Sequence, residues 1–298
     1  MTNALLFCAL ALMRVAQKVC SKKTASLIDS GVKFFHYGAV YQFLAALFAL
    51  ITLSVTGFYG FNIPTLICSV ASAFLLTVSI FSSLEAMKGC TLVLINMTSS
   101  ASIILPCVLG IFLFDEPMDA LQWVGLVVFV ISAYFLVSDS KSTGGKMTLK
   151  TVLMLVAFFL GEGLIVVVQK FFAKNVDGGN TAAFSFLMFA SNALILSLCA
   201  LVSCKIKTKK ERKRFAIEPL DKRLYGYGAI LACAVFVVNI VVTTLAKTVD
   251  SVVLLSLESV ISISVTTAVG ALVFKEKITV KKLAGIVIGL VAVLLINI

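Results

Sequence analysis

The sequence predicts an all-α integral membrane protein with ten transmembrane helices, arranged as two inverted five-helix repeats. Three observations predict this. Hydrophobic residues fill 60% of the 298 positions, charged residues only 13%, and mean hydropathy is +1.10; a soluble domain is roughly half apolar and a quarter charged. The apolar residues fall in runs of about twenty, the length an α-helix needs to cross a hydrocarbon core of about 30 Å. The chain is also written twice. "FLFDEPMDALQWVG" at 112–125 reappears as "LVFKEKITVKKLAG" at 272–285, acidic in the first copy and basic in the second. Short loops rich in lysine and arginine stay in the cytoplasm, so a copy whose loop reverses its charge is expected to be inserted the other way up.

Taken in order, the spans are expected at 3–21, 31–56, 62–86, 90–113, 118–138, 149–173, 180–204, 224–247, 250–274 and 278–297. None alternates with a period of two, so a β-barrel does not fit. Of the 25 Lys and Arg, all but Arg14, Lys170, Lys174 and Lys247 lie in or beside the connections after the first, third, fifth, seventh and ninth spans. Those connections are expected to be cytoplasmic, with both termini outside. The longest is the basic loop 205–223, whose "KIKTKKERKRF" is read as a topology-setting stretch against lipid headgroups. The net charge of +11 is explained the same way, and no nucleic-acid partner is expected.

The repetition extends beyond one loop. Gln17 and Lys18 correspond to Gln169 and Lys170, and Gly110, Phe114, Glu116 and Gly125 to Gly270, Phe274, Glu276 and Gly285. The repeats are placed at 1–140 and 149–298, joined by a polar, glycine-containing linker at 141–148 and forming one integrated domain. The eight cysteines lie in or beside apolar spans without a C-x-x-C pair, and His36 is the single histidine. They read as buried small side chains, with no disulfide, metal site or cofactor expected. Nor is there a nucleophile with a base, so the chain does not read as an enzyme.

An ionisable group inside a span costs about 2.5–3.5 kcal/mol on insertion scales, so each needs a reason. Arg14, Glu162 and Glu258 lie near the midplane. One positive and two negative groups can lock helices together, but they leave one carboxylate over. In hydrocarbon such a group sheds its charge by taking a proton, which suits proton coupling: Glu258 as first choice, or Glu162, is expected to alternate between a proton and a cationic group of the solute. Glu258 has Ser262 one turn on, matched in the first half by Thr98 and Ser102; Glu162 sits between Gly161 and Gly163. Gln17, Asn96, Asn192, Asn239 and Tyr41 are the polar or aromatic side chains expected to line a pathway, although each amide is also suited to interhelical bonding. Tyr37 reads first as an interfacial tyrosine, like Trp123, Tyr225 and Tyr227. Gly285-x-x-x-Gly289 in the last span permits close helix contact, either within the chain or as a homodimer seam.

Ten helices in two repeats, each with a Glu before its fifth helix and a Gly nine residues later, resemble the drug/metabolite transporter superfamily and its EamA-like members. The matching positions are Pro106, Glu116 and Gly125, then Glu276 and Gly285; Thr266 stands where the second half would repeat Pro106. The resemblance implies a central cavity and solute movement without ATP, with cytoplasmic termini in several branches of the family. The expected function is secondary active transport of a small polar metabolite or drug, either cationic, zwitterionic or amino acid-like. It would proceed by alternating access, coupled to protons or to exchange, in a bacterial plasma membrane. A channel or a non-transporting membrane scaffold is the alternative.

Overall fold

In hydrocarbon no water is present to bond backbone N–H and C=O groups, so each apolar run is driven into a helix that bonds them internally. The computed structural model describes the chain except residues 1, 26, 29, 58–61, 88–94, 96–97, 100, 103, 116–118, 139–147, 177, 212–218, 248, 251–253, 255–256, 258–279 and 298. Among the described residues there are nine helices and no strand. They are α1 (Thr2–Ala25), α2 (Gly31–Thr56), α3 (Ile63–Met87), α4 (Ile104–Leu113), α5 (Ala120–Ser138), α6 (Leu149–Asn175), α7 (Thr181–Glu211), α8 (Lys222–Leu245) and α9 (Val280–Asn297). Five are long and apolar enough to cross a membrane: α2, α3, α6, α7 and α8, over Gly31–Val55, Ile63–Ser83, Leu149–Asn175, Thr181–Ile206 and Lys222–Leu245.

Their ends are set by local chemistry. Side-chain oxygens accept the first free N–H groups of four helices. Ser30 Oγ accepts from Lys33 N at 3.2 Å, Asn62 Oδ1 from Thr65 N at 3.1 Å, Thr148 Oγ1 from Thr151 N at 3.2 Å, and Asn180 Oδ1 from Ala182 N at 2.8 Å. Gly57 stops α2 at φ 89°, and Gly178 turns the chain between α6 and α7 at φ 68°, a region open to glycine without a Cβ penalty. α1 runs to Ala25 where the sequence reading ends the span at residue 21, and the largest such difference at a helix C-terminus is in α7. The basic stretch taken as a loop from residue 205 continues α7 to Glu211. Lys and Glu are strong helix formers, and no Gly or Pro interrupts them. At 31 residues, α7 runs about 46 Å, longer than the hydrocarbon, which leaves its basic end outside the core.

Apolar side chains fill the interior and also cover much of the surface, while several polar ones are buried. Val55 is 81% exposed and Phe112 76%, with Ile63, Phe74, Leu153 and Leu194 also on the surface, whereas Gln42, Ser69, Ser72, Ser79, Ser185 and Asn192 are buried. Apolar side chains outside and hydrogen-bonding ones inside suit a surface solvated by lipid.

The chain forms two compact units, Met1–Thr77 with Val176–Val241 and Val78–Asn175 with Val242–Ile298. Each draws on both halves of the sequence, and α3 and α8 contribute to both. In the first unit α2 packs on α7. A Cβ at Gly38 would lie 3.2 Å from Leu196, and Leu53 packs on Ala182 and Ala183. These two contacts make the helices antiparallel, and the small buried Ala45, Ala46 and Ala49 line α2. Cys20, Tyr37, Leu220, Leu224 and Leu231 join α1, α2 and α8 in one apolar cluster.

In the second unit α5 packs on α9. Ser132 Oγ donates to the Gly285 carbonyl at 2.6 Å, and a Cβ at Gly289 would lie 2.9 Å from Ser132 Oγ. The glycine face of the last span is therefore filled by α5 of the same chain, so a homodimer through this helix would need another face. Gly289→Ala is expected to cost about 1–3 kcal/mol by overpacking, read as a lower melting temperature in detergent. Ser132→Ala in the same chain should recover most of that loss; an unchanged melting temperature in the single variant would show that this helix pair is loose.

Candidate functional site

Glu162 occupies the middle of α6, thirteen residues from either end of Leu149–Asn175. Its neighbours Gly161 and Gly163 are buried and Glu162 itself is half-buried. Two hydroxyls from other segments of the second unit reach its carboxylate. Ser79 Oγ of α3 donates to Oε1, and Ser99 Oγ donates to Oε2 at 3.4 Å. Among the described residues no Lys, Arg or His forms an ion pair with it.

The approach of Ser99 follows from a break in its own segment. Pro106 has no N–H for the Ser102 carbonyl, which would be its partner four residues back. That carbonyl accepts instead from Leu105 N at 3.1 Å, and Ser102 Oγ turns back onto the Ser99 carbonyl at 2.7 Å. The chain tightens into a turn at Ser102 before α4 begins at Ile104. Gly163 completes the arrangement. A Cβ there would meet the Ser102 carbonyl at 2.7 Å and the Leu105 side chain at 2.7–2.8 Å. The absence of a side chain at residue 163 lets the broken segment lie against α6. Nearer the start of α6, Leu155 and Phe158 form a buried apolar cluster with Ala86 and Ile95.

Farther along α6, Lys170 is 1% exposed; its Nζ donates to the Val249 carbonyl at 3.1 Å and lies 6.0 Å from the Phe114 ring centre. Lys174 lies 5.8 Å from the same ring. Lys150 and Glu85 form an outer ion pair at 2.9 Å.

The first unit carries a separate amide network. Asn192 of α7, fully buried, donates through Nδ2 to the Ala73 carbonyl at 2.9 Å and to Thr77 Oγ1 at 2.7 Å. Ser185 Oγ donates to Asn239 Oδ1 at 2.7 Å, tying α7 to α8. Arg14 donates to Gln17 Oε1 at 2.9 Å along α1, and the Tyr37 and Tyr41 rings stand 5.5 Å apart on α2. Gln42 Nε2 makes a long bond of 3.4 Å to Tyr41 Oη. The Gln42 and Asn192 carbonyl oxygens are buried and accept no hydrogen bond among the described residues. Four residues on from Gly38 and four before Leu196, these two amides share one level of the antiparallel α2–α7 pair.

Of the pathway residues read from the sequence, Arg14, Gln17, Tyr41, Asn192 and Asn239 belong to the first unit and Glu162 to the second. Arg14 and Gln17 are joined directly, whereas Glu162, Asn192 and Asn239 each bond to residues the sequence reading had not selected. Asn96, Glu258 and Ser262 lie outside the described residues. The selection missed Gln42, Thr77, Ser79 and Ser185. Among the described residues no group of three or more His, Cys, Asp or Glu converges as a metal site would require. The available chemistry is a carboxylate with hydroxyls in one unit and amides with the Arg14 guanidinium in the other.

The chain matches a solved structure, described only as "Crystal structure of protein", with a TM-score of 0.76 over 99% of this chain and 96% of that one, at 12% identity. The two share a fold. No family model and no curated protein matches the chain.

Gly163→Ala is expected to push the Ser102–Leu105 turn off α6 and cost about 1–3 kcal/mol, read by thermal unfolding in detergent. Asn192→Ala should cost about 1 kcal/mol or less, because polar contacts between membrane helices average about 0.6 kcal/mol. A larger loss at Asn192 than at Gly163 would reverse the ranking of these two contacts.

Proposed function

We propose that the protein is a secondary active transporter that moves a small polar solute, cationic, zwitterionic or amino acid-like, by alternating access. In this reading ten spans form two inverted five-helix repeats at 1–140 and 149–298, in the manner of the EamA-like drug/metabolite transporters. The membrane is a bacterial plasma membrane, and transport is driven by an ion gradient or by exchange.

One observation carries the reading. A carboxylate stands at mid-length of a membrane-crossing helix, and its partners among the described residues are two neutral hydroxyls. A purely structural acid in that position would gain most from a fixed cationic partner, because unpaired charge in hydrocarbon is costly. Bonding by hydroxyls alone leaves the charge available to something that comes and goes. The buried amides of the first unit support the same reading, since polar interiors in membrane bundles mark solute routes. The unfilled acceptors at Gln42 and Asn192 suit a solute that brings hydrogen-bond donors.

The test begins with a thermal-shift screen of purified protein against metabolite pools, because a ligand of the folded state raises the melting temperature by mass action. The hit is then followed in proteoliposomes. A carrier shows saturable uptake and acceleration by the same solute on the far side; linear, unaccelerated flux would favour a channel. Glu162→Gln is expected to abolish gradient-driven accumulation and leave solute exchange at equal concentrations measurable. Full uphill transport in that variant would remove Glu162 from coupling.

A further inference from the structure

Resting on the carrier reading, we infer that Glu162, Ser79 and Ser99 form a binding site for a small hard cation, Na⁺, which serves as the coupling ion. A proton requires a single carboxylate oxygen. Here three segments are gathered on one carboxylate: α3 supplies the Ser79 hydroxyl, the stretch before α4 supplies the Ser99 hydroxyl, and α6 supplies both oxygens of Glu162. Each hydroxyl donates to a different carboxylate oxygen, so both stand beside the same charged centre, and each can rotate its O–H away and turn a lone pair to a cation there. The donor set is all oxygen with one full negative charge, which matches a monovalent hard ion and offers no soft ligand to a transition metal.

The broken helix adds to the match. Unwound backbone that frees carbonyl oxygens is how membrane carriers commonly complete cation sites. At Ser102 the chain departs from the helix because Pro106 cannot bond back, and the Ser102 carbonyl is turned against α6 at Gly163, one residue from the carboxylate. The Ser102 carbonyl accepts from Leu105 N with one lone pair and keeps its second. Water completes the roughly six oxygens such an ion takes. The long Ser99 bond of 3.4 Å leaves that hydroxyl weakly held, so it turns to a cation at little cost.

Purified protein in neutral detergent tests this without knowledge of the solute. Its melting temperature is followed as NaCl replaces choline chloride at fixed ionic strength, in parallel with KCl and methylammonium chloride and at two pH values, with direct binding of radioactive ²²Na⁺ alongside. A saturable rise with Na⁺ and none with K⁺ or methylammonium is expected. Ser79→Ala and Ser99→Ala should each raise the half-saturating Na⁺ by about tenfold, Glu162→Gln should remove the response, and Ser54→Ala, exposed and bonded within α2, should leave it unchanged. Should Glu162→Gln fail to fold, the two serine variants decide through ²²Na⁺ binding.

Equal stabilisation by Na⁺ and choline, or a sodium response untouched in the serine variants, overturns the site. So does a rise with methylammonium alone, which assigns the carboxylate to the solute's ammonium, or a dependence on pH alone, which assigns it to a proton. Solute exchange without a sodium response would remove this ion and keep the carrier. Sodium binding without any solute exchange would keep the ion and remove the carrier.

Discussion

A polar atom in hydrocarbon has nowhere to turn but to the protein, and this constraint governs the molecule more than any single contact. It makes the apolar runs helical, since only a helix bonds its own backbone. It sends Ser and Thr hydroxyls back onto their own helices, as Thr77 does onto the Ala73 carbonyl and Ser197 onto the Ala193 carbonyl. It also makes each exception conspicuous. Where a side chain such as Glu162 or Asn192 stands inside a span, structure has been built around it.

The two arrangements meet the same constraint differently. Around Glu162 the backbone itself is altered: a proline removes a donor, a turn replaces a helical bond, and a glycine admits the displaced segment. Around Asn192 the helices stay regular and the amide bridges them through Nδ2, with its Oδ1 left over. Regular packing of small residues is inexpensive and adaptable, as along α2 with Ala45, Ala46 and Ala49. Altered backbone costs more and fixes geometry more tightly. It lies in the unit that holds Glu162.

Much of the helical framework was legible in the sequence because hydropathy and caps speak plainly. The span expected at 31–56 is the observed Gly31–Thr56, bounded by Ser30 and Gly57. The basic end of α7 was misjudged because charge was taken as a sign of loop, whereas Lys and Glu favour helix wherever nothing breaks it. Glu162 stood out as a charge in an apolar run. Ser79 did not, because a serine in a membrane helix ordinarily bonds its own backbone, and only tertiary placement distinguishes one that bonds across. Gln42 was hidden beside Tyr41, whose ring seemed the more informative feature. Pro106 was read as a mark of resemblance, and its physical consequence at Ser102 required the neighbouring Gly163 to become visible.

The interleaved composition of the two units bears on how the chain comes into being. Residue 77 is followed by almost a hundred residues of the other unit before the first resumes at Val176. As α2 leaves the ribosome, its partner α7 has yet to be made, and Gln42 must wait in the bilayer without the surface it will pack against. Assembly is therefore governed by contacts distant in sequence, which slow folding. Neither unit is complete until the later part of the chain has been made.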